Sequence, residues 1–358
     1  MNRLKSGILT LATLFASLPV WSWQAEVVVS GLNVPWGMSA FDQDRVMITQ
    51  RNGEIGILRL SSGQYRKISQ VKQAVSSGQG GLLDVAHSPF NPNQFYFTYS
   101  KKVGSAVETT LARAELTNDK LVNWQDLIVT KSGSDSGRHF GSRITFDNNH
   151  VYFSVGDRGE RDNGQNLATH AGSILRVLPD GSIPQDNPFI NTDNARKEIW
   201  SYGHRNPQGL HYDVTSQTLW SIEHGPRGGD EINLITKGSN YGWPVTSHGK
   251  EYWGPIAVGE ATEKEGVVSP TKVYVPSIAP GSLILYRGKT YPKLTGKLLA
   301  GALKLTHINV VTLDNNQAID ESRILADLRE RIRDIEVMPN GEILFSTDSG
   351  KIYRLLAN

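Results

Sequence analysis

A histidine among small residues, with a carboxylate a little further along the chain, is the arrangement from which a general base can be made. His139 sits in Gly137-Arg138-His139-Phe140-Gly141-Ser142-Arg143, and Asp157 in Val155-Gly156-Asp157-Arg158-Gly159 at the end of the next strand-like run. The glycines allow close approach to the imidazole, and a carboxylate at a neighbouring strand end can fix its tautomer and raise its basicity. The competing reading is a surface histidine beside a structural aspartate. Gly78-Gln79-Gly80-Gly81 reads on its own as a flexible turn, and Tyr202-Gly203-His204-Arg205-Asn206-Pro207-Gln208-Gly209 as a dense set of donors without helical period. Glu223-His224-Gly225-Pro226-Arg227-Gly228-Gly229-Asp230-Glu231-Ile232-Asn233 continues to Asn240-Tyr241-Gly242-Trp243-Pro244. Carboxylates beside Gly and Pro carbonyls suit a hard cation such as calcium, although the spacing is not that of an EF-hand. A solvated acidic turn is the alternative there. Lys304, in Ala302-Leu303-Lys304-Leu305, joins Arg331-Ile332-Arg333. Residues two apart in a strand share a face, so the two guanidinium groups can clamp a polyanion unless they are merely salt-bridged at the surface.

These segments fall at strand ends, and the strands recur. Pro35-Trp36-Gly37-Met38 leads to Val46-Met47-Ile48-Thr49, and Gly81-Leu82-Leu83-Asp84 to Phe95-Tyr96-Phe97-Thr98. The pattern repeats from Ile144 to Ser154, from Gly209 to Ser221 and, most clearly, from Ile335 through Pro339-Asn340-Gly341 to Ser346, with a faint copy near Ser282 to Tyr286. With 35 Gly and 16 Pro in 358 residues and only 20% charged residues, tight turns are many and long helices few. The spacing predicts an all-β fold, a six-bladed β-propeller, with a pair of β-sandwiches as the alternative. The segments 187–196 and 247–266 read as long connections on one rim, where functional loops gather. The strand Ala25 to Ser30 is placed to close the ring on the last blade, whose outer strand is read at Lys351 to Leu355.

Lys and Arg number 37 against 35 Asp and Glu, a net charge of +2 with no basic run, so no nucleic-acid partner is expected. Arg3 and Lys5 before the apolar stretch Gly7 to Leu18 resemble an export signal over residues 1–22, with 23–358 as one propeller domain. That stretch is short of the roughly 20 residues a bilayer-spanning helix needs, and no later segment approaches that length. The absence of cysteine excludes a disulfide scaffold and thiolate metal sites. Neither a G-x-G-x-x-G turn before a helix nor a G-x-S-x-G elbow is present, which disfavours a nicotinamide or flavin site and serine hydrolysis.

Taken in order, Gln79 to Leu83, Arg138 to Gly141, Gly203 to Gly209, Glu223 to Pro226 and Asn240 to Pro244 resemble the soluble PQQ-dependent aldose sugar dehydrogenases, relatives of soluble quinoprotein glucose dehydrogenase. The match covers nearly the whole chain after the leader. The resemblance implies a six-bladed propeller with the quinone over its central channel, His139 as the base and Asp157 as its orienting carboxylate. Gln79, Arg205, Asn206, Tyr252, Lys304, Arg331 and Arg333 fall where the family contacts the quinone, with Leu303, Leu305 and Ile332 beside them. The carbonyls of Gly225 and Pro226 fall where it holds the cofactor's calcium, and Glu231 with the Tyr241 carbonyl matches a second, structural calcium. The implied reaction turns the C1 hydroxyl of an aldose into an aldonolactone, with Arg205 and calcium stabilising charge on the quinone oxygen. It also implies a periplasmic protein, monomer or weak dimer, that passes electrons to a separate acceptor, since no C-x-x-C-H haem motif occurs. A calcium-dependent sugar lactonase and a non-catalytic binding propeller are the rivals. The first leaves Lys304, Arg331 and Arg333 unexplained, the second the His139 and Asp157 pair.

Overall fold

The computed structural model describes residues 23–357, so the leader read at 1–22 lies outside the described residues. Six four-stranded antiparallel sheets follow one another and form a six-bladed β-propeller. Blade 1 is built from Pro35–Ala40, Arg45–Gln50, Glu54–Arg59 and Gln64–Gln70, and blades 2 to 5 span residues 82–129, 144–202, 207–274 and 280–324. Blade 6 takes three strands from residues 332–355 and its fourth from Ala25–Val29. That strand runs antiparallel to Ile352–Leu355 with Ala25 opposite Leu355, so both ends of the chain share one sheet. The expected closure is present with one change: Ile352–Leu355 is the third strand and the N-terminal strand lies outermost. Each innermost strand touches the next, and blade 6 returns to blade 1. A closed ring replaces the sandwich alternative.

Six apolar clusters fill the six interfaces between adjacent blades. This placement explains the strand compositions. Gln94–Val103, second in blade 2, has blades against both faces and is buried over its first seven residues, so its apolar run is continuous. Gln64–Gln70, outermost in blade 1, is polar and largely exposed, which is why only the inner strand pairs showed as repeats. The faint copy near Ser282 is a full blade, its inner strand Pro280–Leu285 buried along its length.

In blades 1, 2, 4, 5 and 6 the inner strand slips register within its first residues. A bulge of this kind turns backbone groups out of the ladder, and they need other partners. Arg143, from the loop leading into Ile144–Phe146 of blade 3, supplies several. Its Nε donates to the Gln208 carbonyl at 2.9 Å, and its Nη2 to those of Gly281 and Arg333 at 2.6 and 2.8 Å. Its Nη1 pairs with Asp84 Oδ1 and Asp334 Oδ1, each at 2.9 Å, and the guanidinium lies 4.2 Å from the centre of the Trp36 ring. One side chain of blade 3 therefore touches all five other blades.

Arg143, Asp84, Asp334, Glu336, His87 and His211 help line a channel cavity of about 220 Å³. Asp334 Oδ2 accepts the Met38 N–H at 2.8 Å and Glu336 Oε1 the Ala40 N–H at 2.7 Å, joining blade 6 to blade 1. Burial pushes the Asp334 carboxyl up to about 7, against the pull of Arg143, and Glu336 up to about 8. A carboxyl with a raised folded pKa contributes stability that is full below its unfolded value and is lost as pH rises through the folded one. Burial lowers His211 in the same cavity to about 4, which acts in the opposite sense but only below its unfolded value of about 6.5. The melting temperature should therefore fall from about pH 6.5 to about pH 8.5, and Glu336→Gln, which keeps the Ala40 contact but has no proton to lose, should flatten the fall. Calorimetry across this range checks it; a native protein that gained stability over the interval would contradict the assignment.

Candidate active site

An antiparallel meander brings the loop before each inner strand and the turn between second and third strands to the same rim. Gln79, His139, Arg205, Asn206 and Arg331 precede inner strands, and Arg51, Asp157, the Gly225-Pro226 turn, Lys304 and Asp348 follow second strands. Residues spread from position 51 to 348 are thus gathered on one rim of the ring.

His139 holds a left-handed backbone, φ +56°, a conformation uncommon for residues other than glycine. Its N–H donates to Gln79 Oε1 at 2.8 Å, and its Nδ1 lies 2.6 Å from Asp157 Oδ1. Burial alone would raise the Asp157 carboxyl, but the His139 ring, the Gly159 N–H and Arg205 together hold it below the usual carboxylate range. An ionised carboxylate only accepts, so Nδ1 carries the proton and Nε2 presents a lone pair. Trp243 Nε1 donates to Asp157 Oδ2 at 2.8 Å and fixes the other oxygen. Burial lowers the His139 pKa, and the Arg205 and Arg138 charges push the same way against Asp157. The ring is neutral at neutral pH and able to take a proton.

Beside it lies a cavity of about 230 Å³. Trp36, Leu83 and Phe140 form an apolar cluster along its wall, and Gln79, Asn206, His224, Arg51, Arg331 and Arg333 add polar groups. Asn206 is fixed by the Gly141 N–H, which donates to its Oδ1 at 3.1 Å. Arg331 Nε and Arg333 Nε each donate to Asp348 at 2.8 Å, so one carboxylate serves two guanidinium groups. Burial lowers the Arg333 pKa despite Asp348, and the charges of Arg143 and Arg331 add to that lowering. The wall is therefore cationic in excess, and with its apolar face it fits a flat polyanion.

Arg205 donates from Nη1 to the carbonyls of His224 at 3.1 Å and Gly225 at 2.9 Å, and lies 5.2 Å from the Trp243 ring centre. Tyr252 Oη stands 3.5 Å from its Nη2, although the residue is itself exposed, on a connection anchored by the buried Ser247 and Val258. Of the two long connections only this one reaches the site; the segment 187–196 stays with blade 3, where Asn187 bonds the Arg176 and Lys197 carbonyls. Next to Arg205 is a hollow lined by Glu223, Glu231, Tyr241, Thr246 and Ser247. Burial raises the Glu231 carboxyl well above its ordinary value, and Glu223 and Asp230 add to it. The buried Asn233 Oδ1 accepts no hydrogen bond. The two carboxyl groups of the hollow are oxygen donors of the kind calcium takes, although Glu223 already accepts from the Arg205 N–H and the Asn233 amide, and Glu231 lies 3.5 Å from the same amide nitrogen. Among the described residues no three His, Cys, Asp or Glu side chains converge on one metal position, so carbonyl oxygens such as those of Gly225 and Tyr241 would have to complete any cation site.

Sequence and structure differ in detail over the anion clamp. Lys304 stands exposed at the rim, and Leu303 lines the cavity and gives its carbonyl to Arg331 at 2.9 Å. The Ile332 side chain, by contrast, is buried between blades 5 and 6, and Leu305 packs against the cluster between blades 4 and 5. Trp36, Arg51 and Asp348 were not anticipated. Arg51 and Asp348 follow second strands, the position of Asp157 and Lys304 in their own blades, and an alignment of blade against blade would have marked both.

The chain is similar over nearly its whole length to known proteins. The glucose/sorbosone dehydrogenase family model matches residues 32–354. The aldose sugar dehydrogenase YliI of Escherichia coli is 35% identical over 344 residues, covering 92% of each chain. Quinoprotein glucose dehydrogenase B of Acinetobacter calcoaceticus is 27% identical over 415 residues, covering 92% of this chain and 86% of its own. The crystal structure of the soluble aldose sugar dehydrogenase from Escherichia coli in its apo-form superposes with a TM-score of 0.90 at 32% identity, over 94% of this chain and all of that one. This chain is a six-bladed propeller belonging to the glucose/sorbosone dehydrogenase family of oxidoreductases.

Proposed function

We propose that this chain oxidises the C1 hydroxyl of aldose sugars to aldonolactones with PQQ and calcium as cofactors. The observation that carries the reading is a neutral, carboxylate-oriented His139 beside a cavity with an aromatic wall and an excess of arginine. PQQ, when bound with its calcium, supplies the hydride acceptor and the Lewis acid that polarises it.

The chain's own residues do the rest. His139 takes the C1 hydroxyl proton at Nε2, which makes the C1–H a hydride donor, while Asp157 keeps Nδ1 protonated and stabilises the charged ring. Gln79 and Asn206 are anchored by backbone N–H groups and so stand ready to orient ligand oxygens. Arg205 offers positive charge where oxygen becomes anionic, and Arg51, Lys304, Arg331 and Arg333 offset the cofactor's carboxylates. Tyr252 flanks Arg205 at the mouth. Gly225 and Pro226 carbonyls would hold the cofactor's calcium, and Glu231 with Tyr241 a structural one. The leader-like N-terminus supports export to the periplasm, with electrons leaving to a separate acceptor; among the described residues no helix is long and apolar enough to cross a membrane.

The test is reconstitution. Purified protein should reduce an artificial dye with an aldose only after PQQ and calcium are both added, and should lose that activity in chelator. Sugar-dependent reduction by chelator-treated protein without PQQ would overturn the reading.

A further inference from the structure

Arg158 is wholly buried, and among the described residues no carboxylate pairs with it. Its guanidinium instead serves backbone. Nη1 donates to the Arg138 carbonyl, and Nη2 to those of Ser136 and Val107 at 2.6 and 2.9 Å. Its Cζ lies 3.5 Å from the centre of the Phe140 ring, and its own carbonyl accepts from Ser134 Oγ at 2.9 Å. Glu108, the acid whose charge acts on it most, is occupied by the Ser132 and Gly133 N–H groups, each at 2.9 Å. The segment so held, residues 130–143, contains no strand, and His139, Gly141 and Ser142 in it all have positive φ. Such a segment turns carbonyls inward that need donors, and a buried arginine spent on carbonyls alone is costly unless their geometry matters. Burial lowers its pKa to about 10, as expected of a charge without an acid partner.

We infer that Arg158 is a positioning residue for His139, fixing the backbone just before the histidine and the Phe140 ring just after it, while its chain neighbour Asp157 fixes the imidazole. The inference rests on the reading of His139 as the base. One turn, 157–159, thereby sets both the tautomer and the location of the proton acceptor.

Arg158→Lys keeps the charge but cannot span three carbonyls or lie flat on Phe140. Assayed with PQQ, calcium and dye at saturating quinone, it should lose about 10- to 100-fold in kcat, the scale of a misplaced group. In the His139→Gln background the same change should cost nothing further. Nitrogen-edited NMR on histidine-labelled protein should show the His139 Nδ1–H signal shifted or broadened in Arg158→Lys. Should that variant fail to fold, Phe140→Leu removes the ring on which the guanidinium rests and should move the same signal. Unchanged kcat with an unmoved signal overturns the positioning role, as does an equal loss in both backgrounds. Native turnover in His139→Gln overturns the base instead, and the signal alone then decides whether Arg158 holds that histidine in place.

Discussion

His139→Gln should lower kcat by about 10²- to 10⁴-fold in protein loaded with PQQ and calcium, the usual contribution of a general base. Quinone affinity should be largely retained, because the arginines and the Trp36 wall lie elsewhere on the rim. The glutamine can still accept a hydrogen bond but cannot take a proton at neutral pH, so binding and chemistry separate. Asp157→Asn should act in the same direction less strongly, since an amide no longer dictates which imidazole nitrogen carries the proton. Because burial already lowers the His139 pKa, the acid limb of the rate profile should lie below the ordinary imidazole value of about 6.5. Turnover of both variants beside a PQQ titration decides the matter. A His139→Gln enzyme with near-native kcat would remove the mechanism, and one that no longer bound quinone would make the residue an anchor instead.

Arg143→Met should be the most damaging single change to stability. It leaves Asp84 and Asp334 buried without their cation and strips the donor from the carbonyls of Gln208, Gly281 and Arg333. Removing one partner of a buried ion pair costs about 3–5 kcal/mol, which for a chain of this size lowers Tm by roughly 4–7 °C. The methionine fills similar volume, so the loss is electrostatic rather than a cavity. Adding Asp84→Asn and Asp334→Asn to Arg143→Met should recover part of the loss, because the unpaired acids are then gone. Thermal melts of the single and triple variants measure both effects. A single variant melting within about 2 °C of the native protein would show that the ring closes without its axial arginine.

Much of the site was legible as chemistry because each cluster is local in sequence. A histidine between glycines, a carboxylate just after a strand and two arginines sharing a strand face are patterns of a few residues, and the structure keeps His139 with Asp157 and Arg331 with Arg333. Asp348 escaped because a single acid after Thr347 has no local signal; only the second-to-third-strand turn of blade 6 brings it against the two arginines. Ile332 and Leu305 adjoin the cationic residues in sequence, but their side chains turn into interblade clusters, Ile332 from the start of an inner strand and Leu305 from the turn after Ala302.

The sequence by itself determined that the chain is built of short antiparallel strands, that the inner pairs recur about six times, and which segments carry polar chemistry, because alternation, turn residues and motif composition are local properties. Tertiary structure alone decided the rest. Ring closure superposes the rims of all the blades, so residues hundreds of positions apart share one cavity. The inner-strand bulges free carbonyls that no ladder satisfies, and a single arginine in the loop leading into blade 3 collects those of blades 4, 5 and 6. Arg143 looked like one more charge in a glycine-rich segment, since its role exists only where six blades meet at an axis.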